Sequence, residues 1–385
     1  MDRLTAATGL LGDLVAFPTV SSESNLALVD WVAEYLRALG ARIEISHDDT
    51  GAKANLFATI GPDVAGAVVL SGHTDVVPVD GQDWDSDPFD VVARDGKYFG
   101  RGTCDMKGFI ACVLALAPEM AQWRLARPLH IALTYDEEVG CFGARALADV
   151  LRARDIRPAI ALVGEPTSMR IVEGHKGCFE YTTTFHGLEG HGSVPDNGVN
   201  AAEFATRYVA RLMERGRDLR DRVPEDSPFS PPWTTVNIGR IAGGTARNVI
   251  AGHAEVEWEM RPVQPGDAAY VRAEIDRYAA ETLLPQMRSV HRQAGIERVV
   301  IGEVAGLMPR PGNPATELAL ALTGANDTEL VSFGTEAGLY QDIGIDCVVC
   351  GPGAIAQAHK PDEHVETTQL AACLDMLGRL HDKMA

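Results

Sequence analysis

The chain has 385 residues, 46% hydrophobic and 23% charged, which is more than one hydrophobic core usually serves and has the composition of an ordinary globular protein. Asp and Glu outnumber Lys and Arg by 54 to 34, for a net charge of −20; nucleic acid and anionic membrane surfaces both select positive charge, so neither is expected as a partner. Seven thinly scattered cysteines do not make a disulfide framework, and no apolar run reaches the roughly 18 residues that a bilayer span needs.

The chain opens with MDRLTAATGLLGDLVAF, which carries acids in and around its apolar positions and no small-residue cleavage site. That pattern predicts an amphipathic helix, not a signal peptide, and a cytoplasmic protein. A second helix is expected over 25–39, where Leu26, Val29, Ala33, Leu36 and Leu39 share a face and Gly40 stops it. Short undiluted apolar runs follow at 67–70, 130–133, 159–163 and 346–350. Bounded by Gly or Pro, they read as strands buried on both faces of a mostly parallel sheet, with helices between them, notably Met106 to Ala121. Cys347 and Cys350 fall inside the last of these runs and read as buried thiols.

The middle of the chain has another texture. Residues 179–187, 234–241 and 254–261 alternate apolar with polar, as half-exposed antiparallel strands do. A helix from about Ala201 to Leu219, with Phe204, Tyr208, Val209, Leu212 and Met213 on one stripe, lies between the first two. Another, from about Ala268 to Leu284, precedes a last strand at ERVVIGEV. Strand, helix, two strands, helix and strand make a ferredoxin-like α+β insert at 175–304. The α/β domain is then discontinuous, formed by 1–174 and 305–385.

The runs also place chemistry at their ends. His73 and Asp75 follow the first, Asp136, Glu137 and Glu138 the next, Glu165 the third and His359 the last; Asp105 sits in GRGTCDMKG, a glycine-punctuated turn before a helix. In open α/β sheets, ligands gather beyond the carboxyl ends of the strands. Taken singly, Asp105 could cap its helix, Glu137 and Glu138 could form an exposed acidic turn, and either histidine could be structural. Together, two imidazoles and three carboxylates exceed what one open zinc site takes, but they suit two cations sharing one carboxylate. Mixed imidazole and carboxylate ligation favours Zn²⁺, with Co²⁺ or Mn²⁺ as substitutes. Asp75 is spaced to accept the second ring N–H of His73, and Glu137 is the candidate general base.

SGHTDVVP (71–78), GRGTCDMKG (100–108), DEEVG (136–140) and GEPTS (164–168) resemble the motifs of the M20 family of two-zinc aminoacylases and peptidases. The likeness covers essentially the whole chain, including an inserted lid or dimerisation domain with GHGSVPDNGVNA (190–201). Within the family, DWDSDPF (83–89), EGHKG (173–177), FGTEAG (333–338) and GPGAIAQAHKPDEHVE (351–366) are most similar to the acetylornithine deacetylases. The resemblance implies that His73, Asp105 and Glu165 bind one zinc and that Asp105, Glu138 and His359 bind the other. It favours His359 over His364 as the last ligand and makes Glu137 the base. It implies that His191 reaches a partner subunit's site in a homodimer and helps hold the oxyanion. It also implies that Asn248 and Arg261 contribute to binding the substrate carboxylate, and that Thr335 and Glu336 line the pocket, with Glu336 expected to meet the substrate's δ-ammonium. The implied reaction is hydrolysis of N2-acetyl-L-ornithine to ornithine and acetate. Succinyl-diaminopimelate desuccinylase and a broad N-acyl-amino-acid amidohydrolase are the alternatives within the family, and a non-catalytic metal-binding module is the rival outside it. Cys141 and Lys176 have no role that the sequence assigns.

Overall fold

The computed structural model describes residues 2–385. The chain forms two compact units. The first comprises Met1–Gly174, Leu307–Leu330 and Thr335–Ala385, and the second His175–Gly306 with Val331–Gly334.

The first unit is built on an eight-stranded sheet in the order Arg42–His47, Ala54–Ile60, Leu129–Thr134, Val68–His73, Ile160–Pro166, Asp346–Gly351, Val172–His175, Glu329–Val331. The four central strands, from Leu129–Thr134 to Asp346–Gly351, run parallel. The first two strands and Val172–His175 pair antiparallel, so the sheet is mixed, with a parallel centre. The central strands are buried almost throughout because helices lie against them. Helix Lys107–Met120 is the innermost, buried from Lys107 through Ala117 and packed between Arg3–Val15 and Thr367–Gly378. Its neighbour Arg3–Val15 begins where the Asp2 carboxylate accepts the Thr5 N–H.

Four strands of the sheet go beyond those expected from the apolar runs: Arg42–His47, Ala54–Ile60, Val172–His175 and Glu329–Val331. Ala54–Ile60 is buried throughout although Asn55 and Thr59 interrupt its apolar residues, while Arg42–His47 is an edge strand with charged outward positions. The strand that ends in His73 also runs further than its apolar stretch, through Ser71 and Gly72, because both pair with Leu129–Thr134.

In the second unit, four antiparallel strands lie in the order Thr235–Gly243, His253–Arg261, Cys178–His186, Gly295–Val304. With helices Ala201–Asp218 and Pro265–Tyr278 this is a β-α-β-β-α-β ferredoxin-like arrangement. Along His253–Arg261, Ala254, Val256, Trp258 and Met260 face the helices and the intervening residues do not. On the first helix the buried stripe is Ala205, Tyr208, Val209 and Leu212; Met213, expected on it, turns outward at 53% exposure. Asn200 caps this helix by accepting the Glu203 N–H.

Among the described residues no helix is long and apolar enough to cross a membrane. No disulfide joins the seven cysteines, and Cys347 and Cys350 are fully buried.

Gly164 shows how tightly the helix lies on the sheet. A Cβ there would come within 2.0 Å of the Phe109 ring. Gly164→Ala is therefore expected to lower stability by about 1–3 kcal/mol through overpacking; an unchanged melting temperature would contradict the close approach.

Candidate metal centre

The parallel centre sends its strands to one edge, and the turns after them carry the functional groups. His73 ends its own strand, and its Nε2 lies 3.1 Å from Asp105 Oδ1 and 3.8 Å from Glu165 Oε1. Asp105 turns its other oxygen to His359, 3.3 Å from Nε2, and the same nitrogen is 2.9 Å from Glu138 Oε2. Ligand atoms of His73, Asp105 and Glu138 lie within 4.8 Å of one another, as do those of His73, Glu137 and Glu165. Six groups separated by up to 286 residues thus share one small volume.

The charges there are poorly matched without a cation. Burial and the nearby Asp105 hold the Glu165 carboxyl well above its usual range. Burial raises Glu137 likewise against the pull of His73, and burial with Asp105 raises Glu138 to about 7. Burial alone would raise Asp105 too, but His359 and His73 hold it below the usual carboxylate range. Asp105 and Glu138 lift His359 to about 10. Glu165 Oε1 is buried with no hydrogen-bond donor, a costly position for an anionic oxygen unless a cation faces it. Imidazole and carboxylate donors in these numbers fit metal cations.

The supports around the cluster are specific. His73 Nδ1 donates to the Asp75 backbone carbonyl at 2.9 Å, leaving Nε2 to face the carboxylates. The Asp75 side chain, expected to take that N–H, stands 3.6 Å away. Its oxygens instead accept the backbone N–H groups of Glu137, at 3.0 Å, and Glu138, at 3.3 Å, as well as the Ser21 hydroxyl. Asp75 thereby holds the whole acidic turn. Asp136 takes a left-handed conformation in that turn and pairs with Lys53, away from the cluster. The Cys141 thiol, unexplained by sequence, lies 3.5 Å from Glu137 Oε1 as a weak donor.

His364 lies apart from these groups. It begins the strand His364–Glu366 and packs on Phe99, with ring centroids 5.0 Å apart. Thr335 is buried and accepts the Ala337 N–H. Glu336 is fully buried and takes hydrogen bonds from the Ser71 hydroxyl on one oxygen and from Thr134 Oγ1, at 2.7 Å, on the other. This corrects its expected contact with the substrate: a carboxylate with both oxygens occupied beneath the surface does not present itself to a ligand's ammonium group, and it cross-links the strands bearing His73 and the acidic turn.

His191, Asn248 and Arg261 belong to the second unit. His191 is exposed on a two-residue strand paired with Val249–Ile250, its Nδ1 2.7 Å from Ser193 Oγ. Asn248 is exposed, and its carbonyl accepts the Gly192 N–H. Arg261 donates to Glu259 through Nε and Nη2. Lys176 is buried and donates to the carbonyls of Pro231 and Trp233, which makes it an anchor for the end of the proline-rich stretch VPEDSPFSPP at 223–232.

Sequence reasoning passes over Ser21, Arg101 and Glu363. Arg101 and Glu363 form a buried pair at 2.6 Å, and Glu363 also receives the Asp105 backbone N–H. Arg101 lies within the same glycine-punctuated turn as Asp105, and Glu363 four residues after His359; that proximity is the signal by which they could have been found.

Glu165 provides a test. Its folded carboxyl titrates above the ordinary 4.5, so keeping it charged at neutral pH costs the metal-free fold stability. Glu165→Gln should leave the chelated protein as stable as the parent or more so at pH 7, while shrinking the rise in melting temperature that added Zn²⁺ produces. A chelated variant that melts clearly earlier would refute this view of the cluster.

The chain is similar to known proteins both in sequence and in fold. Residues 69–383 match the family description Peptidase family M20/M25/M40. An M20 family metallo-carboxypeptidase from Sulfolobus solfataricus superposes with a TM-score of 0.79 at 16% identity, covering 99% of each chain. Human carnosine dipeptidase 1 gives 0.74 at 16% identity, covering 99% of this chain and 97% of that one. A dinuclear metal-binding peptidase of the M20 family from Bacillus subtilis gives 0.63 at 17% identity, covering 98% and 97%. At such identities the structures show a shared fold, whereas the family match runs through nearly every strand end described above. The chain belongs to peptidase family M20/M25/M40.

Proposed function

We propose that the protein is a two-zinc amidohydrolase that hydrolyses N2-acetyl-L-ornithine to L-ornithine and acetate. Family membership carries the coarser part, metal-dependent hydrolysis of an amide or peptide bond. The observation that carries the rest of the mechanism is Glu137, a half-buried residue whose carboxylate lies beside His73 and Glu165 and whose backbone is fixed by Asp75.

His73, Asp105 and Glu165 would hold one ion, and Asp105, Glu138 and His359 the other. When bound, the ions supply Lewis acidity that polarises the scissile carbonyl and acidifies water. Glu137 takes the proton of the attacking water and passes it to the leaving nitrogen. Its surroundings suit both proton transfers, because burial favours the protonated form and the pull of His73 favours the charged one. The His73 Nδ1–H donated to a carbonyl selects the tautomer in which Nε2 offers its lone pair.

The acetylornithine assignment is supported by the motif likeness at 83–89, 173–177, 333–338 and 351–366, not by Glu336, whose oxygens are engaged. Another deacylase of the family remains the second reading, since Lys176 and Arg261 offer cationic groups suited to a succinyl carboxylate only if their present contacts are exchanged. A homodimer in which the second unit supplies His191 to the partner's site also rests on the resemblance, with the exposure of His191 in its support. A cytoplasmic setting is supported by the absence of disulfides among the described residues.

A panel of N-acetyl, N-succinyl and dipeptide substrates assayed with Zn²⁺ or Co²⁺ tests the substrate. Acetylornithine is expected to give the highest kcat/KM, and a succinyl or dipeptide substrate in first place would replace the assignment. Glu137→Gln should cut kcat on the order of 10²- to 10⁴-fold with full metal content; near-normal turnover would remove Glu137 from its role. Mixing Glu137→Gln with His191→Ala subunits should restore activity if each site borrows its neighbour's histidine, because one site of the mixed dimer is then intact. No recovery would mean that His191 serves its own chain or none.

A further inference from the structure

Most of the metal-facing groups are held by the core. His73 and Glu165 lie in buried strands, and Asp105 is 5% exposed. His359 differs: its side chain is 53% exposed, and its backbone is in the left-handed region at φ 63°. A non-glycine residue persists there only where its surroundings impose it. The loop that carries it is short of apolar anchors, since Lys360, Pro361 and Asp362 are exposed or half-exposed. Something other than core packing must hold this imidazole against Asp105 and Glu138.

Glu363, 1% exposed, sits directly behind the loop. Its Oε1 accepts the backbone N–H groups of Cys104, at 2.9 Å, and Asp105, at 3.0 Å. Its Oε2 accepts Arg101 Nη1 at 2.6 Å. Its carbonyl receives the Gly100 N–H at 2.9 Å. One residue of the His359 loop therefore gathers the turn that presents Asp105. Arg101, itself 1% exposed, extends the grip. Its second amino group donates to Gln82 Oε1 at 2.7 Å, and Gln82 Nε2 donates back to the His359 carbonyl at 3.2 Å. The guanidinium lies over Trp84, 5.0 Å from the ring centroid. Three loops, 78–88, 100–105 and 359–364, meet on this one ion pair.

We propose that Glu363, clamped by Arg101, is a positioning residue for the metal centre: it sets the Asp105 backbone so that one carboxylate oxygen faces His73 and the other His359, and it ties the exposed His359 loop to that turn. The proposal rests on the reading of the cluster as a metal site. The chemistry requires a carboxylate, because both oxygens are acceptors here, one for two N–H groups and one for the guanidinium. An amide would turn its NH₂ toward donors on one side or the other. Arg is required for a parallel reason. The planar guanidinium fork reaches Glu363, Gln82 and the carbonyls of Lys360 and Pro78 at once, which the single ammonium of a lysine cannot do.

The test compares Glu363→Gln, Arg101→Lys and Gln82→Ala with the parent enzyme. Each is stripped with chelator and titrated with Zn²⁺ by calorimetry, then loaded with Co²⁺ for visible absorption. The parent is expected to bind two equivalents; if it binds none, the metal reading itself fails, whatever the variants do. Glu363→Gln should weaken at least one equivalent about 10- to 100-fold and alter the cobalt spectrum, which reports ligand geometry. Arg101→Lys should do the same to a smaller degree. Gln82→Ala, at a half-buried position, keeps the question answerable should either core variant misfold, and should weaken binding least. Parent-like zinc affinity and cobalt spectra in the folded variants, with only the melting temperature lowered, would overturn the proposal by reducing the clamp to a structural ion pair.

Discussion

Everything at the candidate site depends on a concentration of negative charge that the fold alone does not neutralise. Four carboxylates, of Asp105, Glu137, Glu138 and Glu165, converge with two imidazoles in a region largely withdrawn from water. Like charges so placed repel, and burial raises the cost of each. The chain tolerates this because hydrogen bonds fix the backbone on which those acids stand. Asp75 holds the turn of Glu137 and Glu138, and Glu363 holds Asp105. A cation is the component that would make the arrangement favourable, so function and local instability have the same origin here.

The site's supports are mainly backbone contacts. His73 is oriented by a carbonyl, the acidic turn by its own N–H groups, and Asp105 likewise. Side chains aimed at backbone atoms fix where a turn lies without depending on the turn's own side chains, which are left to face the reaction. Glu336 applies the same logic inside the sheet, joining Ser71 and Thr134 on adjacent parallel strands just before the functional groups leave them. Its burial also separates two ideas that a motif alone merges: an acid close to the chemistry, and an acid that touches the substrate.

Much of the site was legible because buried parallel strands announce themselves as short apolar runs, and because chemistry gathers at their carboxyl ends. His73, Asp75 and Glu165 could be marked from that rule alone, as could the alternation of Ala254 to Met260 on the helix-facing side of the second unit. The rule faltered where polarity and burial part company. Ser71 and Gly72 lie in a strand although neither is apolar, since ladder hydrogen bonds extend it. Met213 continues a hydrophobic stripe in sequence but faces outward, off the row of Ala205, Tyr208, Val209 and Leu212 that is buried in this unit.

By itself the sequence determined the parallel centre of the sheet and the alternating strands and helices of the insert, the ends at which acids and histidines accumulate, and through its motifs the family. These follow from local patterning, which neighbours in the chain suffice to create. Tertiary structure decided which of those groups meet. Whether His359 or His364 faces Asp105 depends on a left-handed residue and a buried Arg101–Glu363 pair, and the return of Val331–Gly334 to the second unit leaves no mark in composition. Such choices rest on contacts between residues hundreds of positions apart, where packing and charge, not periodicity, select the arrangement.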